Sequence, residues 1–424
     1  MFWRKTVANN GYNRNYNRNY NRSYTTSSGR PGASGRRPVA SGRRPVRRRR
    51  NRKRIRNRII IVSTMLIMLI LLITIITLMF KSCFGGNDKE TMSTETLSST
   101  INNQPTTSPA GGGKADVSSY AKPKPEDDGS GGEFEGGLFI WNKAAFELFY
   151  GSEDSAAAYA NAVNGYADKL GDGIKTYSMV VPNHTEMGLP ERFKNGDVST
   201  SSQAENIATI YSKFNSNVTA VNCYNTLAEH CNEYIYFNSD HHWTGLGAYY
   251  AYTDFAKEDG QEPLPLENCD EKTIDGFTGS FTKVVTSELK TDSVHYWKFP
   301  YSATMDMTSK STGETASYDS VYYEGASAGG NTYGVFIFGD NPLSVLKSDR
   351  NTGQKIAVVK ESYGNAFVPY LTYNYDEVHV IDFRHWEGNL PEYCKDNDID
   401  SVLFINGIMS ANTAIQIKAM DSLF

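Results

Sequence analysis

The chain has 424 residues, and its formal charge of −4 is the sum of two parts of opposite sign. Residues 4–58 carry 19 Lys and Arg and no Asp or Glu, which leaves 24 basic and 47 acidic residues, a charge of −23, beyond residue 58. This length exceeds the needs of one ordinary domain. The charge split excludes a uniform globular chain and indicates a basic arm joined to an acidic body.

Residues 1–58 are predicted to form a disordered cytoplasmic tail. They hold almost no aliphatic side chains, so they cannot bury enough apolar surface to offset the entropy lost on ordering. Arg residues with interleaved Tyr would suit nucleic acid, because aromatic rings can stack on bases and cations can bind phosphates. Arg clusters beside a membrane helix more commonly bind anionic head groups, so we expect the lipid membrane rather than nucleic acid as the partner.

Residues 59–80 are predicted to form a single transmembrane helix. These 22 residues contain no charge and are mostly Ile, Leu and Met. As a helix they would span about 33 Å, the thickness of a hydrocarbon core. Basic residues crowd the N-terminal side and only Lys81 lies close on the other, which predicts a cytoplasmic N-terminus. The length and position favour an uncleaved anchor, and we expect a single-pass cell-membrane protein with an extracytoplasmic C-terminal domain.

The part of the chain outside the membrane is predicted to divide into a linker and a domain. Residues 81–137 are rich in Ser, Thr, Gly, Asn and Pro, which is typical of a flexible linker, and residues 138–424 would form the folded domain. Four cysteines lie in that domain. In an oxidising compartment they can form two disulfides with three possible connectivities, and Cys223 with Cys231 is the favoured pair.

Strand and helix patterns alternate along the predicted domain. They predict helices at 155–170, 207–214, 246–257, after Tyr363 and near the C-terminus, strands at 174–181, 218–221, 234–237, 333–338, 355–359, 378–381 and 402–405, and a β-rich insert at 262–331. This order predicts an α/β sheet with helices on its faces. In such folds, sites gather at the carboxyl ends of the strands.

The most informative polar cluster is Ser-Asp-His-His-Trp-Thr at residues 239–244. It follows the predicted strand 234–237, and residues two apart in an extended backbone face the same side. Asp240 would therefore lie beside His242, where its carboxylate can accept the Nδ1 proton and hold the imidazole as a base. His241 would point the other way, which disfavours a metal site that uses both histidines. For His241 we expect packing or local hydrogen bonding.

Ser362 is the candidate nucleophile. The predicted strand 355–359 leads through Glu361 and Ser362 into a helix, so the hydroxyl would lie at the sheet edge. Backbone N–H groups at the helix start, near Tyr363 and Gly364, could hold an oxyanion. A serine after a strand is also a common helix N-cap, an alternative that the residues alone leave open.

The four residues Asp240 to Trp243 resemble the signature of the DHHW protein family. Further segments fit the same family, at residues 180–182, 277–281, 361–363, 367–369 and 382–384. That family is similar to the SGNH-type domains of alginate O-acetyltransferases. The resemblance implies an SGNH-hydrolase-like three-layer α/β domain with a β-rich insert, in which Ser362, His242 and Asp240 form the triad. The chain departs at Lys360 and Glu361, where the related motif has Gly and Asp.

Two other polar residues follow predicted strands. Arg384 would bind a carboxylate or an acyl carbonyl, or pair with Asp382. Asn406 would donate to an oxyanion, or form an ordinary Asn-Gly turn. Four aromatic residues would stack on sugars or pack in the core: Tyr249, Tyr250, Trp297 and Trp386.

These features predict an extracytoplasmic serine O-acyltransferase, with acetyl as the expected group, or an esterase, acting on a cell-surface polysaccharide. No cofactor or metal is implied, and the resemblance suggests a membrane-bound O-acyltransferase as a partner that supplies acyl groups. One alternative is an inactive envelope-binding or assembly module of the same fold. The departure of Glu361 from the related motif suggests this alternative. A weaker one is a metal-dependent hydrolase that uses Asp240 and His242.

Overall fold

The computed structural model describes residues 116–327 and 331–424, so the predicted tail, transmembrane helix and most of the linker lie outside it. No helix in these two ranges is long and apolar enough to cross a bilayer. The strands are β1 (Glu133–Glu135), β2 (Leu138–Trp141), β3 (Ala144–Glu147), β4 (Lys175–Val181), β5 (Val218–Ala220), β6 (Asp270–Phe277), β7 (Asp292–Lys298), β8 (Ala303–Thr308), β9 (Thr315–Tyr318), β10 (Leu343–Ser348), β11 (Lys355–Lys360), β12 (Glu377–Asp382) and β13 (Ser401–Gly407).

The helices alternate with the parallel strands. They are α1 (Glu153–Leu170), α2 (His184–Gly188), α3 (Glu191–Lys194), α4 (Gln203–Ser212), α5 (Tyr224–Glu229), α6 (Gly245–Glu258), α7 (Gly364–Leu371), α8 (Leu390–Asp396), α9 (Ile408–Ala411) and α10 (Ala414–Asp421). Three short 3-10 helices cover Leu266–Asn268, Ser280–Lys283 and Thr332–Val335. Helix α1 packs against α4, α8 and α10, whereas α6 packs against α5 and α7, so the helices form two groups.

One large sheet carries the domain, in the order β5-β4-β13-β11-β12-β10-β8-β9. The first five strands run parallel, and β10, β8 and β9 continue the sheet as antiparallel strands. All seven residues of β13 are buried, which requires cover on both faces of the sheet. The α/β fold predicted from the sequence is confirmed. The carboxyl ends of β4, β11, β12 and β13 meet at one edge.

Most predicted elements are present with shifted ends. Helix α1 begins at Glu153 rather than at residue 155, because Ser152 is its N-cap and accepts a hydrogen bond from the Ser155 N–H. Regular structure also begins before Leu138, the predicted start of the domain. Strand β1 lies in the predicted linker and pairs with β2.

Two predicted strands are wrong. Residues 234–237 form no strand, and only an isolated bridge joins Tyr236 to Trp243. Residues 333–338 fall in a 3-10 helix and a turn, because Ile337 and Phe338 adopt left-handed backbone angles, with φ of 45° and 62°. Both segments are rich in aromatic and β-branched residues and are buried without a ladder partner, so tertiary packing overrides their strand propensity.

The β-rich insert is only partly a separate unit. Strands β6 and β7 pair with each other alone, whereas β8 and β9 extend the main sheet through β10. Strand β10 was not predicted. The favoured disulfide is also wrong, since the four cysteines in the described residues are free thiols. Helix α5 separates Cys223 from Cys231, and its six residues rise about 9 Å, too far for a disulfide.

Candidate active site

The structure brings Ser362, His242 and Asp240 into one hydrogen-bonded line. His242 Nε2 lies 2.7 Å from Ser362 Oγ, and His242 Nδ1 lies 2.5 Å from Asp240 Oδ1. The two segments are 120 positions apart in the chain. An imidazole in this position can take the serine proton while the carboxylate fixes its tautomer and orientation.

Asp240 and His242 lie on a turn formed by residues 239–243, which we name the histidine turn. The predicted extended backbone is absent, yet the two side chains meet because Asp240 Oδ1 also accepts the His242 backbone N–H at 3.1 Å, a local Asx-type turn. The turn brings the His241 ring against that of His242, with centroids 3.9 Å apart. The expectation that the two rings face opposite sides was therefore wrong, because it assumed a strand.

The insert holds the second oxygen of Asp240. The Ser280 backbone N–H donates to Asp240 Oδ2 at 2.7 Å, and the Ser280 hydroxyl lies 2.9 Å from His241 Nδ1. Gly279 makes this approach possible, since a Cβ there would lie 2.3 Å from the Asp240 Cβ. The residues at 277–281 thus contact the histidine turn directly, and the hydrogen bond of His241 is made to the insert, 39 positions away in the chain.

Asp292 anchors the start of the histidine turn, a role that sequence reasoning missed. Its buried carboxylate accepts hydrogen bonds from the Tyr234 hydroxyl at 2.6 Å, from the backbone N–H and side-chain amide of Asn238, and from the backbone N–H and hydroxyl of Ser239. Only 2 % of Asp292 is exposed. A carboxylate with this many donors fixes the backbone directly before Asp240.

Ser362 lies on a second turn, residues 361–364, which we name the serine turn and which follows β11 directly. Glu361 organises it: Oε1 accepts the Gly407 N–H at 2.8 Å, and Oε2 accepts the Tyr363 N–H at 3.1 Å. Glu361 Oε2 also lies 3.2 Å from Ser362 Oγ. The longer acid is therefore built into the turn and ties it to the end of β13.

The predicted oxyanion donors are already engaged. The Tyr363 N–H donates to the Glu361 side chain, and the Gly364 N–H donates to the Glu361 carbonyl at 3.0 Å. The expectation of free N–H groups near Tyr363 and Gly364 followed from the start of the helix, where the first N–H groups have no intrahelical partner. The Ser362 N–H itself donates no hydrogen bond within the described residues, which makes it the available backbone donor beside the nucleophile.

Reciprocal hydrogen bonds join the two turns. The Trp243 indole N–H donates to the Tyr363 carbonyl at 2.9 Å, and the Tyr363 hydroxyl donates to the His241 carbonyl at 2.5 Å. Trp243 is fully buried, so its N–H needs such a partner. The tryptophan that ends the Asp-His-His-Trp signature thus holds the nucleophile segment at a fixed distance from the histidine.

Tyr333 supports the imidazole from one face. Its ring stacks on His242 with centroids 4.1 Å apart and planes at 12°, and its hydroxyl donates to the Ser362 carbonyl at 3.1 Å. Tyr333 had been assigned to a strand, so its role was missed. A stacked ring restricts rotation of His242 and leaves Nε2 directed at the serine.

The electrostatics favour an ionised aspartate in the triad. Burial would raise the pKa of Asp240, but the hydrogen bond with His242, the positive charge that His242 can carry and the Ser280 N–H together hold that pKa well below the usual carboxyl range. Burial and the neighbouring His242 lower the pKa of His241 to about 4. His241 is therefore neutral at pH 7, and Asp240 is a carboxylate.

Arg384 belongs to a buried charge network beneath the serine turn and also lines the cleft. Its guanidinium contacts Asp382 at 2.6 Å and Asp340 at 3.0 Å, and Lys360 Nζ contacts the same Asp382 at 2.9 Å. The pairing with Asp382 that the sequence suggested is present. Burial would raise the pKa of Asp382, but Lys360 and Arg384 hold it far below its ordinary value.

Asn406 takes neither of its predicted roles. It lies inside β13, buried, where its Oδ1 accepts the Tyr159 hydroxyl at 2.9 Å and its Nδ2 donates to Ser410 Oγ at 3.3 Å. Strand β13 continues through Gly407, so the Asn-Gly pair forms no turn at this point. None of the four aromatic residues proposed for sugar stacking borders the cleft: Tyr249, Tyr250, Trp297 and Trp386.

A cleft of about 210 Å³ opens above Ser362. Its walls come from the carboxyl ends of four parallel strands, with Asn183 after β4, Ser362 after β11, Arg384 after β12 and Gly407 at the end of β13. This is the edge at which open α/β sheets bind ligands. The nucleophile is therefore partly exposed to the cleft rather than sealed as a helix cap.

The donor atoms of Asp240, His241 and His242 lie within 4.8 Å of one another, which could suit a metal ion. Both oxygens of Asp240, both ring nitrogens of His242 and Nδ1 of His241 already make hydrogen bonds. A metal here would have to displace the interactions that form the triad. The geometry fits proton transfer better than metal ligation.

A serine, an imidazole and a carboxylate in line at the carboxyl edge of an α/β sheet define a serine-hydrolase-like class of site. Within that class, the chain belongs to the DHHW protein family, whose profile matches residues 123–381. No curated protein matches the chain.

Three solved structures are similar to the domain to different degrees. A DHHW family protein from Eubacterium siraeum is 28% identical with a TM-score of 0.62, over 69% of this chain and 98% of that one. Bacillus cereus PatB1 is 18% identical with a TM-score of 0.55, over 67% and 98%, and has also been solved with a sulfonyl adduct. The O-acetyltransferase domain of Pseudomonas putida AlgJ is more distant, at 13% identity and a TM-score of 0.38 over 68% and 97%.

Proposed function

We propose that this protein is a serine-dependent O-acyltransferase that transfers an acyl group, with acetyl as the first candidate, to a hydroxyl of a cell-surface polysaccharide. Ester hydrolysis is the same chemistry with water as the acceptor. The observation that carries the proposal is the hydrogen-bonded line from Asp240 through His242 to Ser362, which opens on the cleft.

The proposed reaction has two half-reactions. Ser362 Oγ attacks the acyl carbonyl while His242 Nε2 takes the serine proton, and the tetrahedral intermediate collapses as His242 returns that proton to the departing alcohol or thiol. An acceptor hydroxyl then attacks the acyl-serine and gives its proton to His242, which passes it back to Ser362. In this proposal the Ser362 N–H, which donates to no described residue, stabilises the oxyanion in both steps. No cofactor is needed.

Turnover of a chromogenic ester tests this proposal. The full-length chain is incubated with 4-nitrophenyl acetate, and release of nitrophenolate is measured for the wild type and for Ser362→Ala and His242→Ala. We expect both variants to lose at least about 10³-fold in rate. Ser212→Ala, a serine on the exposed end of α4, is the matched control and should retain full activity. Phenylmethylsulfonyl fluoride should add one sulfonyl group, on Ser362, detectable by peptide mass spectrometry.

The alternative is an inactive binding or assembly module of the same fold. It draws on the Glu361 carboxylate, which lies within reach of the Ser362 hydroxyl and competes with His242 for its proton. Absence of turnover and of sulfonyl labelling, together with retention on an insoluble polysaccharide, would favour the module. Turnover that a chelator abolishes would instead favour the metal-dependent reading.

We further propose that the domain is extracytoplasmic and anchored by residues 59–80, with the basic tail in the cytoplasm against anionic lipid. The support is the uncharged apolar run and the basic residues on its N-terminal side. A membrane-bound O-acyltransferase is the proposed source of acyl groups. Protease added to intact cells should remove an epitope at the C-terminus and spare one at the N-terminus; the reverse pattern would refute this orientation.

A further inference from the structure

One polar side chain in the cleft has no partner. Gln416, in the first turn of α10, lines the cleft, and its Oε1 atom is buried without a hydrogen bond in the described part of the chain. Its Nε2 likewise donates to no described residue, although the backbone N–H is engaged with Thr413. A buried amide oxygen without a partner costs free energy, so a ligand that supplies one would bind favourably.

The chemistry of an amide indicates what that ligand group is. An ester or thioester donor offers only acceptor oxygens near its reacting carbon, whereas a buried amide oxygen requires a donor. A hydroxyl both donates and accepts, and it therefore satisfies Gln416 whichever way the amide is turned. The alcohol acceptor of the proposed transfer carries such groups.

Ser410 adds a donor on the same wall of the cleft. Its Oγ accepts from Asn406 Nδ2 at 3.3 Å and donates to no described residue, so its own proton is available to a ligand. Arg384, which also lines the cleft, is held between two carboxylates. The neutral groups Gln416 and Ser410, which have unused hydrogen-bonding atoms among the described residues, thus lie on one segment, residues 407–416, which follows the stretch that the family profile matches.

We propose that residues 407–416 form the acceptor subsite, in which Gln416 and Ser410 bind a neutral hydroxyl-bearing saccharide next to the acyl-serine. This inference rests on the proposed acyl transfer and adds where the acceptor binds. Gln416 acts in the second half-reaction, in which the acyl group leaves Ser362 for an acceptor, and not in the first, in which Ser362 takes it from the donor. Its loss should therefore favour water over the saccharide as the acceptor.

The partition of the acyl group between saccharide and water tests the inference. The full-length wild type, Gln416→Met and Gln354→Met are given 4-nitrophenyl acetate with glycerol or with chitotetraose. The burst of nitrophenolate in the first turnover reports acylation, and mass spectrometry of the acetylated acceptor reports transfer. Gln416→Met should lower the ratio of transfer to hydrolysis by roughly three- to tenfold, the worth of one hydrogen bond, with the nitrophenolate burst within about twofold of wild type.

Gln354→Met is the matched control, because Gln354 precedes β11 at the opposite end of the strand from Ser362 and should change neither readout. Gln416→Glu keeps an acceptor oxygen and should retain more transfer than Gln416→Met. An unchanged ratio in Gln416→Met, an equal loss of the burst and of transfer, or a wild type that hydrolyses without transfer to either acceptor would each overturn the acceptor subsite. A wild type that releases no nitrophenolate would instead overturn the proposed function itself.

Discussion

The two turns that make the site are held by different means. The serine turn follows a buried strand in the middle of the sheet, so the register of β11 with β12 and β13 sets its position. The histidine turn follows no strand. It is held by side chains from elsewhere, chiefly the Asp292 carboxylate of β7 and the Ser280 N–H of the insert.

This difference separates what holds the nucleophile from what holds its base. The serine turn depends on buried packing and on the charge network at the end of β11, which are parts of the domain core. The histidine turn depends on polar contacts with an insert whose β6–β7 hairpin pairs with no other strand. Damage to the first should therefore lower stability, and damage to the second should lower activity as well as stability.

The largest expected effect is that of Asp240→Asn. The amide can turn its NH₂ toward His242 and select the wrong tautomer, so we expect turnover of the chromogenic ester to fall about 10⁴-fold, with the fold retained by circular dichroism. Asp396→Asn, near the end of α8, is the control. A loss of less than about tenfold would mean that Asp240 does not orient the base.

The difference in unfolding free energy between the wild type and Asp240→Asn should become smaller as the pH falls. Because the folded-state pKa of Asp240 is depressed, its carboxylate stabilises the fold above the unfolded value of about 4, and this contribution is lost as pH falls toward the folded value. Urea unfolding should show a constant difference between wild type and Asp240→Asn from about pH 5 to pH 8 and a smaller one below about pH 4. A difference that grows in acid would contradict the assignment.

Lys360→Met tests the serine turn. Lys360 is fully buried and its Nζ contacts Asp382 and Asp340, so its removal leaves buried carboxylates short of a cation and should cost about 3 kcal/mol of unfolding free energy. Lys355→Met, at the partly exposed start of the same strand, should cost less than about 1 kcal/mol. If urea unfolding gives the same loss of unfolding free energy for Lys360→Met and Lys355→Met, the buried charge network beneath Ser362 stabilises the fold no more than a surface ion pair does.

Asp292→Asn tests the histidine turn. The amide keeps one acceptor oxygen but meets the Ser239 donors with its NH₂ group, which should cost about 2 kcal/mol and lower ester turnover about tenfold as His242 becomes less well placed. Asp275→Asn in the same hairpin is exposed and should change neither measurement. A loss of stability without any loss of turnover would show that Asp292 does not position His242.

The same contrast explains what the sequence could predict. The run Ile-Ala-Val-Val at 356–359 has one outcome in a folded domain, a buried strand, and the serine that follows it necessarily lies at the sheet edge. The run Tyr-Ile-Tyr-Phe at 234–237 has the same propensity for a strand. It is nevertheless buried as a loop, because only one isolated bridge, from Tyr236 to Trp243, joins it to another segment. Local pattern cannot distinguish the two cases.

The sequence could predict Ser362, His242 and Asp240 as the candidate site. It could not predict the residues that hold these three side chains in position. Asp240 and His242 are two positions apart, and Ser362 follows a buried strand that leads into a helix, a pattern that the family resemblance then joined to the same triad. Asp292 and Tyr333 carry no local signal, because each acts on residues 29 or more positions away in the chain. The engagement of the Tyr363 N–H by Glu361 depends on a side-chain conformation that a sequence does not specify.

The smallest expected effect is that of Tyr333→Phe, which removes the hydroxyl and keeps the ring on His242. Loss of the hydrogen bond to the Ser362 carbonyl should cost about 1 kcal/mol, and ester turnover should stay within about threefold of wild type. Tyr333→Leu removes the stacked ring as well and should lower turnover further. If Phe lowers turnover as much as Leu does, the hydroxyl on the serine turn, and not the ring on the histidine turn, is what aligns the triad.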